Sequence, residues 1–278
     1  MNRTLETEST RTTSTGATST ETTNSETTTS SATEAPGPIS AARPRRIGMI
    51  VPSSNTCLEP QTYRMLADRA DVTVHSSRIP VTRIALDSGS DQQFDVAGMR
   101  AAAELLATAD VDVIAWNGTS GSWLGPDHDR AIAAEITAAT GIPATTSTLA
   151  YLEAFAEFGL RRMGLVTPYT RDVNSAVAEA YAREGLEVVG ERHWGLSDNE
   201  SFARVAPEDL LPVSRELAAE GPDALVYLCT NLYGAPAVER LEAETGVPVL
   251  DSVAVTLWHC LKLAGAEGLD PRWGRLLS

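Results

Sequence analysis

Few side chains in this sequence can move a proton or attack an electrophile. Cysteines stand at 57, 229 and 260, and histidines at 75, 128, 193 and 259. The cysteines are an odd number at wide spacing with no C-x-x-C pair, so no disulfide framework is expected. The histidines fall in no metal-ligand spacing and suggest no Ser-His-Asp arrangement. Cys57 follows a polar loop where a helix should start, and Cys260 lies in an apolar helix; both read as structural. Cys229 is different. Cys229-Thr230-Asn231 closes one apolar run, and Gly118-Thr119-Ser120 closes another. An ordinary thiol has a pKa of about 8.5 and is mostly protonated at pH 7, ready to donate. A helix following it would lower that value. The Thr119, Ser120 and Tyr169 hydroxyls, with backbone N–H groups near Gly118 and Cys229-Thr230, are neutral donors suited to a growing negative charge. One thiol opposite a glycine is chemistry on a single face.

Loops of this kind need strands that end just before them. From Arg45 onward short apolar runs alternate with segments of helical period, the mark of β–α repetition around parallel sheets. Strands are expected at Ile47–Pro52, Val72–Ser76, Val113–Trp116, Ala144–Thr146, Met163–Thr167, Glu187–Glu191, Ala224–Leu228 and Val247–Leu250. The segments between them read as helices, with Gly141, Gly159, Gly185, Gly221 and Gly246 as stop signals. The pattern repeats. Arg45-Arg46-Ile47-Gly48 matches Arg161-Arg162-Met163-Gly164, Asp112-Val113-Ile114 matches Asp223-Ala224-Leu225, and Gly141-Ile142-Pro143 matches Gly246-Val247-Pro248. Three matches in the same order imply an internal duplication. The expected fold is α/β, in two pseudo-symmetric halves spanning 45–158 and 159–278. Each half is a four-stranded parallel sheet flanked by helices. Ligands of open parallel sheets sit beyond the carboxyl ends of the strands. The cleft between the halves would therefore receive Pro52-Ser53-Ser54-Asn55 and Pro168-Tyr169-Thr170 as well as the two loops above.

Composition narrows the function. With 37 acidic against 22 basic residues the net charge is −15, which excludes a nucleic-acid partner because phosphate binding needs a basic face. No run approaches the ~20 apolar residues of a membrane span, and the first residues lack a signal-peptide core, so a cytoplasmic location is expected. Twenty of the first thirty-five residues are Ser or Thr. Residues 1–44 are accordingly expected to be a disordered tail. No G-x-G-x-x-G or G-x-x-x-x-G-K-[ST] motif occurs, and no metal, flavin, nicotinamide or pyridoxal cofactor is called for. A homo-oligomer is compatible with the sequence, although no stretch marks an interface.

The motifs Val51-Pro52-Ser53-Ser54-Asn55-Thr56, Gly118-Thr119-Ser120-Gly121-Ser122, Thr167-Pro168-Tyr169, Leu228-Cys229-Thr230 and Trp273-Gly274-Arg275-Leu276-Leu277 carry a resemblance. In this order the chain, from about Arg45 to Ser278, resembles the aspartate/glutamate racemase superfamily, on the branch of maleate cis-trans isomerases and arylmalonate decarboxylases. The resemblance implies two cysteines facing each other across the cleft; Gly118 stands at the first position and Cys229 at the second. Racemisation needs an acid and a base on opposite faces, so one thiol weighs against it. The isomerases of the branch use the first cysteine as nucleophile, whereas its arylmalonate decarboxylases have glycine there. Asn55 and Asn199 match isomerase positions that hold substrate carboxylates, a pattern shared by the ectoine-utilisation protein of the branch. The implied activity is a cofactor-independent lyase that decarboxylates a small malonate-type dicarboxylate through an enediolate. Cys229 is its proton donor, and Asn55, Gly118, Thr119, Ser120, Tyr169, Asn199 and Thr230 bind the substrate. Trp116 and Trp123 would wall an apolar region around the departing carboxylate. The alternatives are a maleate cis-trans isomerase-like enzyme and a non-catalytic dicarboxylate-binding protein.

Overall fold

The computed structural model describes residues 43–86, 93 and 96–278. The expected tail, residues 1–44, lies outside the described residues apart from Arg43 and Pro44. Arg43 is tied to the body through a two-pronged hydrogen bond of its guanidinium to Asp112, both contacts 2.9 Å.

The first sheet is built from β1 (Arg45–Pro52), β2 (Val72–Ile79), β3 (Val113–Trp116) and β4 (Ala144–Thr146), in the order β2-β1-β3-β4. Helices α1 (Leu58–Met65), α2 (Val96–Ala107), α3 (Gly121–Leu124), α4 (Pro126–Thr140) and α5 (Ser147–Phe158) accompany it. The second sheet holds β5 (Arg162–Thr167), β6 (Glu187–His193), β7 (Ala224–Tyr227) and β8 (Val249–Asp251), in the order β6-β5-β7-β8. Its helices are α6 (Arg171–Arg183), α7 (Pro207–Ala219), α8 (Ala235–Thr245) and α9 (Ser252–Ala264). Every strand pairing within the two sheets is parallel. All eight expected strands are present. The four-residue α3 was not expected, because one turn is too short to show a helical period.

The internal duplication is visible residue by residue. Gly48 pairs with Ile114 in the first sheet and Gly164 with Leu225 in the second. Ile114 pairs with Ala144, and Leu225 with Val249. At both glycines the neighbouring strand comes close: a Cβ on Gly164 would lie 2.8 Å from Leu225 Cδ2, and one on Gly48 3.3 Å from Ile114 Cγ1. Asp112 and Asp223 also match, each accepting a backbone N–H from the start of the adjoining first strand, Arg46 at 2.7 Å and Arg162 at 2.8 Å.

Both β3 and β7 are buried throughout, which is why they read as unbroken apolar runs. Helix α5 packs on α9 and joins the two sheets. Tyr151 of α5 donates to the carbonyls of Tyr227 (2.8 Å) and Leu250 (3.2 Å). Thr146 and Asp251, at matching strand ends, cap α5 and α9: Thr146 Oγ1 accepts from Leu149 N–H, and Asp251 Oδ1 from Val253 and Ala254 N–H. Such caps contribute ~1 kcal/mol each. Among the described residues no helix is long and apolar enough to cross a membrane.

Candidate active site

The ends of β1, β3, β5 and β7 each deliver a short polar segment to one buried region. Asn55 follows β1 by three residues, and its Oδ1 accepts the N–H groups of Cys57 (3.0 Å) and Leu58 (2.9 Å), ordering the start of α1. Its Nδ2 reaches across to Thr230 Oγ1 at 3.2 Å, and Thr230 Oγ1 in turn donates to the Asn117 carbonyl at 2.9 Å. The residue after Asn117 is Gly118, so the two third-strand loops are linked directly.

Thr119 shares a 2.8 Å hydrogen bond with the phenol of Tyr169, which follows β5. The Tyr169 ring is held edge-on by Trp123 and Phe202, with ring centroids 5.5 and 5.4 Å away. Its hydroxyl also interacts with the Cys229 thiol. The N–H of Asn231 donates to Cys229 Sγ at 3.3 Å. The Asn231 side chain continues the network, accepting from Thr56 N–H at 3.0 Å and donating to the Asn199 carbonyl at 2.5 Å. Asn199 Nδ2 donates to Ser54 Oγ at 2.8 Å.

The structure thus gathers Asn55, Thr119, Tyr169, Asn199, Cys229 and Thr230 into one connected cluster, with Gly118 in the same loop as Thr119. Ser120 stands beside this cluster, its Oγ accepting from the indole Nε1 of Trp116 at 3.5 Å. All the side chains expected in the site are closed off from solvent, between 1% and 5% exposed. A strap closes over the β1 loop. Ser54 Oγ donates to the Val81 carbonyl, Ile84 N–H to Ser197 O and Asn199 N–H to Thr82 O. The bridge between Arg83 and Asp198 lies in the same strap.

The thiol is protonated as expected, but the expected lowering of its pKa by a following helix does not occur. Burial pushes the Cys229 thiol up to about 12, against the Tyr169 hydroxyl and the Asn231 N–H, which favour the thiolate. The buried Asp251 carboxylate adds to the upward push. The next helix, α8, begins only at Ala235, six residues on, too far for its N-terminus to offset desolvation. Burial likewise raises the Tyr169 phenol well above its ordinary value. At neutral pH both groups carry their protons.

The family model described as arylmalonate decarboxylase matches residues 47–277. The chain belongs to the arylmalonate decarboxylase family. It is 31% identical over 236 residues to the arylmalonate decarboxylase of Bordetella bronchiseptica, covering 84% of this chain and 96% of that one. A maleate isomerase of Alcaligenes faecalis is 30% identical over 246 residues, with the same coverage of each chain. A maleate isomerase of Pseudomonas putida S16, solved with maleate as a cysteine-to-alanine variant, superposes with a TM-score of 0.77 at 26% identity. That match covers 85% of this chain and 98% of the other. The chain is thus a member of an enzyme branch that holds both arylmalonate decarboxylases and maleate isomerases.

Within this arylmalonate decarboxylase family member, Asn231 is the residue that sequence reasoning undervalued. It touches Cys229, Thr56, Cys57 and Asn199. The signal was present, because Asn231 occupies in the second half the place of Ser120 in the first. Phe202 is the second omission; it lies in a 3-10 turn with no motif around it.

Proposed function

We propose that this protein removes carbon dioxide from a small malonate-type dicarboxylate and protonates the resulting enediolate from one face with Cys229. The observation that carries this reading is a buried thiol, held protonated at neutral pH, in a cluster of neutral hydrogen-bond donors. In the proposed reaction Asn55 and Asn199 exchange their present partners for substrate carboxylate oxygens. The bond from the α-carbon to one carboxylate breaks, and its electron pair enters the remaining carboxylate as an enediolate. Thr119, Ser120, Tyr169 and Thr230, with backbone N–H groups at Gly118 and beyond, stabilise the growing charge. Removing one such fixed donor commonly costs ~3–4 kcal/mol of barrier. Cys229 then gives its proton to the α-carbon. The thiolate left behind is stabilised by the Asn231 N–H and Tyr169 until it regains a proton from water. With no lysine or arginine among these residues, the departing carboxylate is poorly solvated and leaves as neutral carbon dioxide, while its negative charge passes with the electron pair to the enediolate.

A second reading, cis-trans isomerisation of maleate or a related dicarboxylate, is favoured by the identity to maleate isomerases and by the Asn55 and Asn199 pattern. Proton NMR in deuterated buffer separates the two. Offered methylmalonate, phenylmalonate and maleate, the protein is expected to convert a malonate to its mono-acid with one deuterium at the α-carbon. Conversion of maleate to fumarate, with the malonates untouched, would replace the first reading by the second. Ligand line broadening without turnover of any of the three would leave a dicarboxylate-binding protein.

A further inference from the structure

The position opposite Cys229 is not an empty space. Trp116 pairs with Ile50 and Thr146 in the first sheet just as Tyr227 pairs with Val166 and Asp251 in the second. Two residues beyond these partners stand Gly118 and Cys229, which are therefore counterparts. A Cβ added to Gly118 would lie 2.3 Å from both Cε2 and Cζ2 of the Trp116 indole and 2.6 Å from its Nε1. No real Cβ makes contacts this short, so the indole fills the volume that any side chain at 118 would need. Trp116 is fully buried, and its Nε1 faces Ser120 Oγ. The counterpart Tyr227 behaves differently, sending its hydroxyl out to Ser214 Oγ on α7 at 2.8 Å and leaving room for the thiol.

We propose that Trp116 is a specificity-determining residue that occupies the place of a second acid–base group and makes the site one-sided. The indole would face the substrate on the side away from Cys229, keep water and any second proton donor from that side, and so fix which enantiomer forms. This inference rests on the decarboxylase reading for its stereochemical part. Its steric part stands on the packing of Trp116 against Gly118 alone.

Both parts are tested with Gly118→Cys, Trp116→Leu and the double variant; Trp116→Phe, which withdraws the second ring, replaces Trp116→Leu if that chain does not fold. Gly118→Cys is expected to lower the melting temperature by about 5 °C or more, and to cost far less in the Trp116→Leu background. This readout needs no turnover. With methylphenylmalonate as substrate, the wild-type protein is expected to give a single enantiomer. Trp116→Leu should turn the substrate over with at least a tenfold lower enantiomer ratio, because solvent gains the second face. The double variant should also exchange the α-hydrogen of the product for deuterium. Equal costs of Gly118→Cys in both backgrounds would overturn the steric part, and an unchanged enantiomer ratio in folded Trp116→Leu the stereochemical one. If the wild-type protein turns over no malonate, the decarboxylase reading fails, while the melting comparison still decides whether Trp116 displaces a side chain at 118.

Discussion

At the residue scale the molecule turns on the protonation of one sulfur. A thiol of ordinary pKa would lose its proton through about pH 8.5 and an acid role with it. Cys229, pushed up to about 12 by burial, should not. Turnover is therefore expected to show no fall attributable to a thiol between pH 7.5 and 9.5, a range chosen to straddle an ordinary thiol pKa of about 8.5. A pH–rate profile checks this, and an alkaline limb with a midpoint near 8.5 that disappears on substituting Cys229 would contradict it. Cys229→Ala should cut kcat by ~10²–10⁴-fold, the usual contribution of a positioned acid, with substrate binding retained in a titration. Loss of binding in parallel would instead make Cys229 a holding residue. The thiol itself was legible in the sequence because Thr230 and the apolar strand before it match Thr119 and its strand, which sets Cys229 against Gly118. Its ionisation was not, since desolvation depends on how tightly Tyr169, Trp123 and Phe202 close around the region, and no local pattern records that.

The elements hold the site through buried carboxylates placed beneath its loops. Asp129 on α4 lies against Gly121 of α3, where a Cβ would come within 2.4 Å of the carboxylate carbon. Its Oδ2 accepts from Thr146 Oγ1 at 2.5 Å, tying α4 to the cap of α5. Burial pushes Asp129 and Asp251 each up to about 7. The folded state thus binds more protons at these sites than the unfolded chain from about pH 4 to about pH 7. The linkage makes their contribution to stability fall as pH rises through that window and level off above it. Asp129→Asn should flatten the fall, seen as a shallower slope of melting temperature against pH than wild type over pH 4–7. An identical slope would show that Asp129 is ionised in the folded state throughout. Long helices were legible because their period is written over eight or more residues, as in α4, and strands because they are short apolar runs between turn signals, as in β1 and β3. Asp129 was not; at the start of α4, between two other charged positions, it reads as part of a solvated face. Only packing of α3 over it takes it out of water.

For the whole molecule, the joint between the sheets combines a continuous apolar core with buried polar contacts that cross it. Tyr151→Phe removes a buried donor from the Tyr227 and Leu250 carbonyls, and should cost ~1–3 kcal/mol. For a folded body of this size that is a drop of ~2–12 °C in melting temperature, measurable by calorimetry. Deleting residues 1–42 should leave turnover and melting temperature within error, since the site and the Arg43–Asp112 contact lie beyond them. The matched pairings of Gly48 with Ile114 and Gly164 with Leu225 have a further consequence, for descent. In the proposed reading, each copy of the repeated unit contributes one wall to the site. A mutation in one copy alters one wall and leaves the other, and the frame beneath both, as it was. The lineage can therefore discard a reactive group on one side, plug the gap with a ring, and inherit a new reaction type without redesigning its architecture.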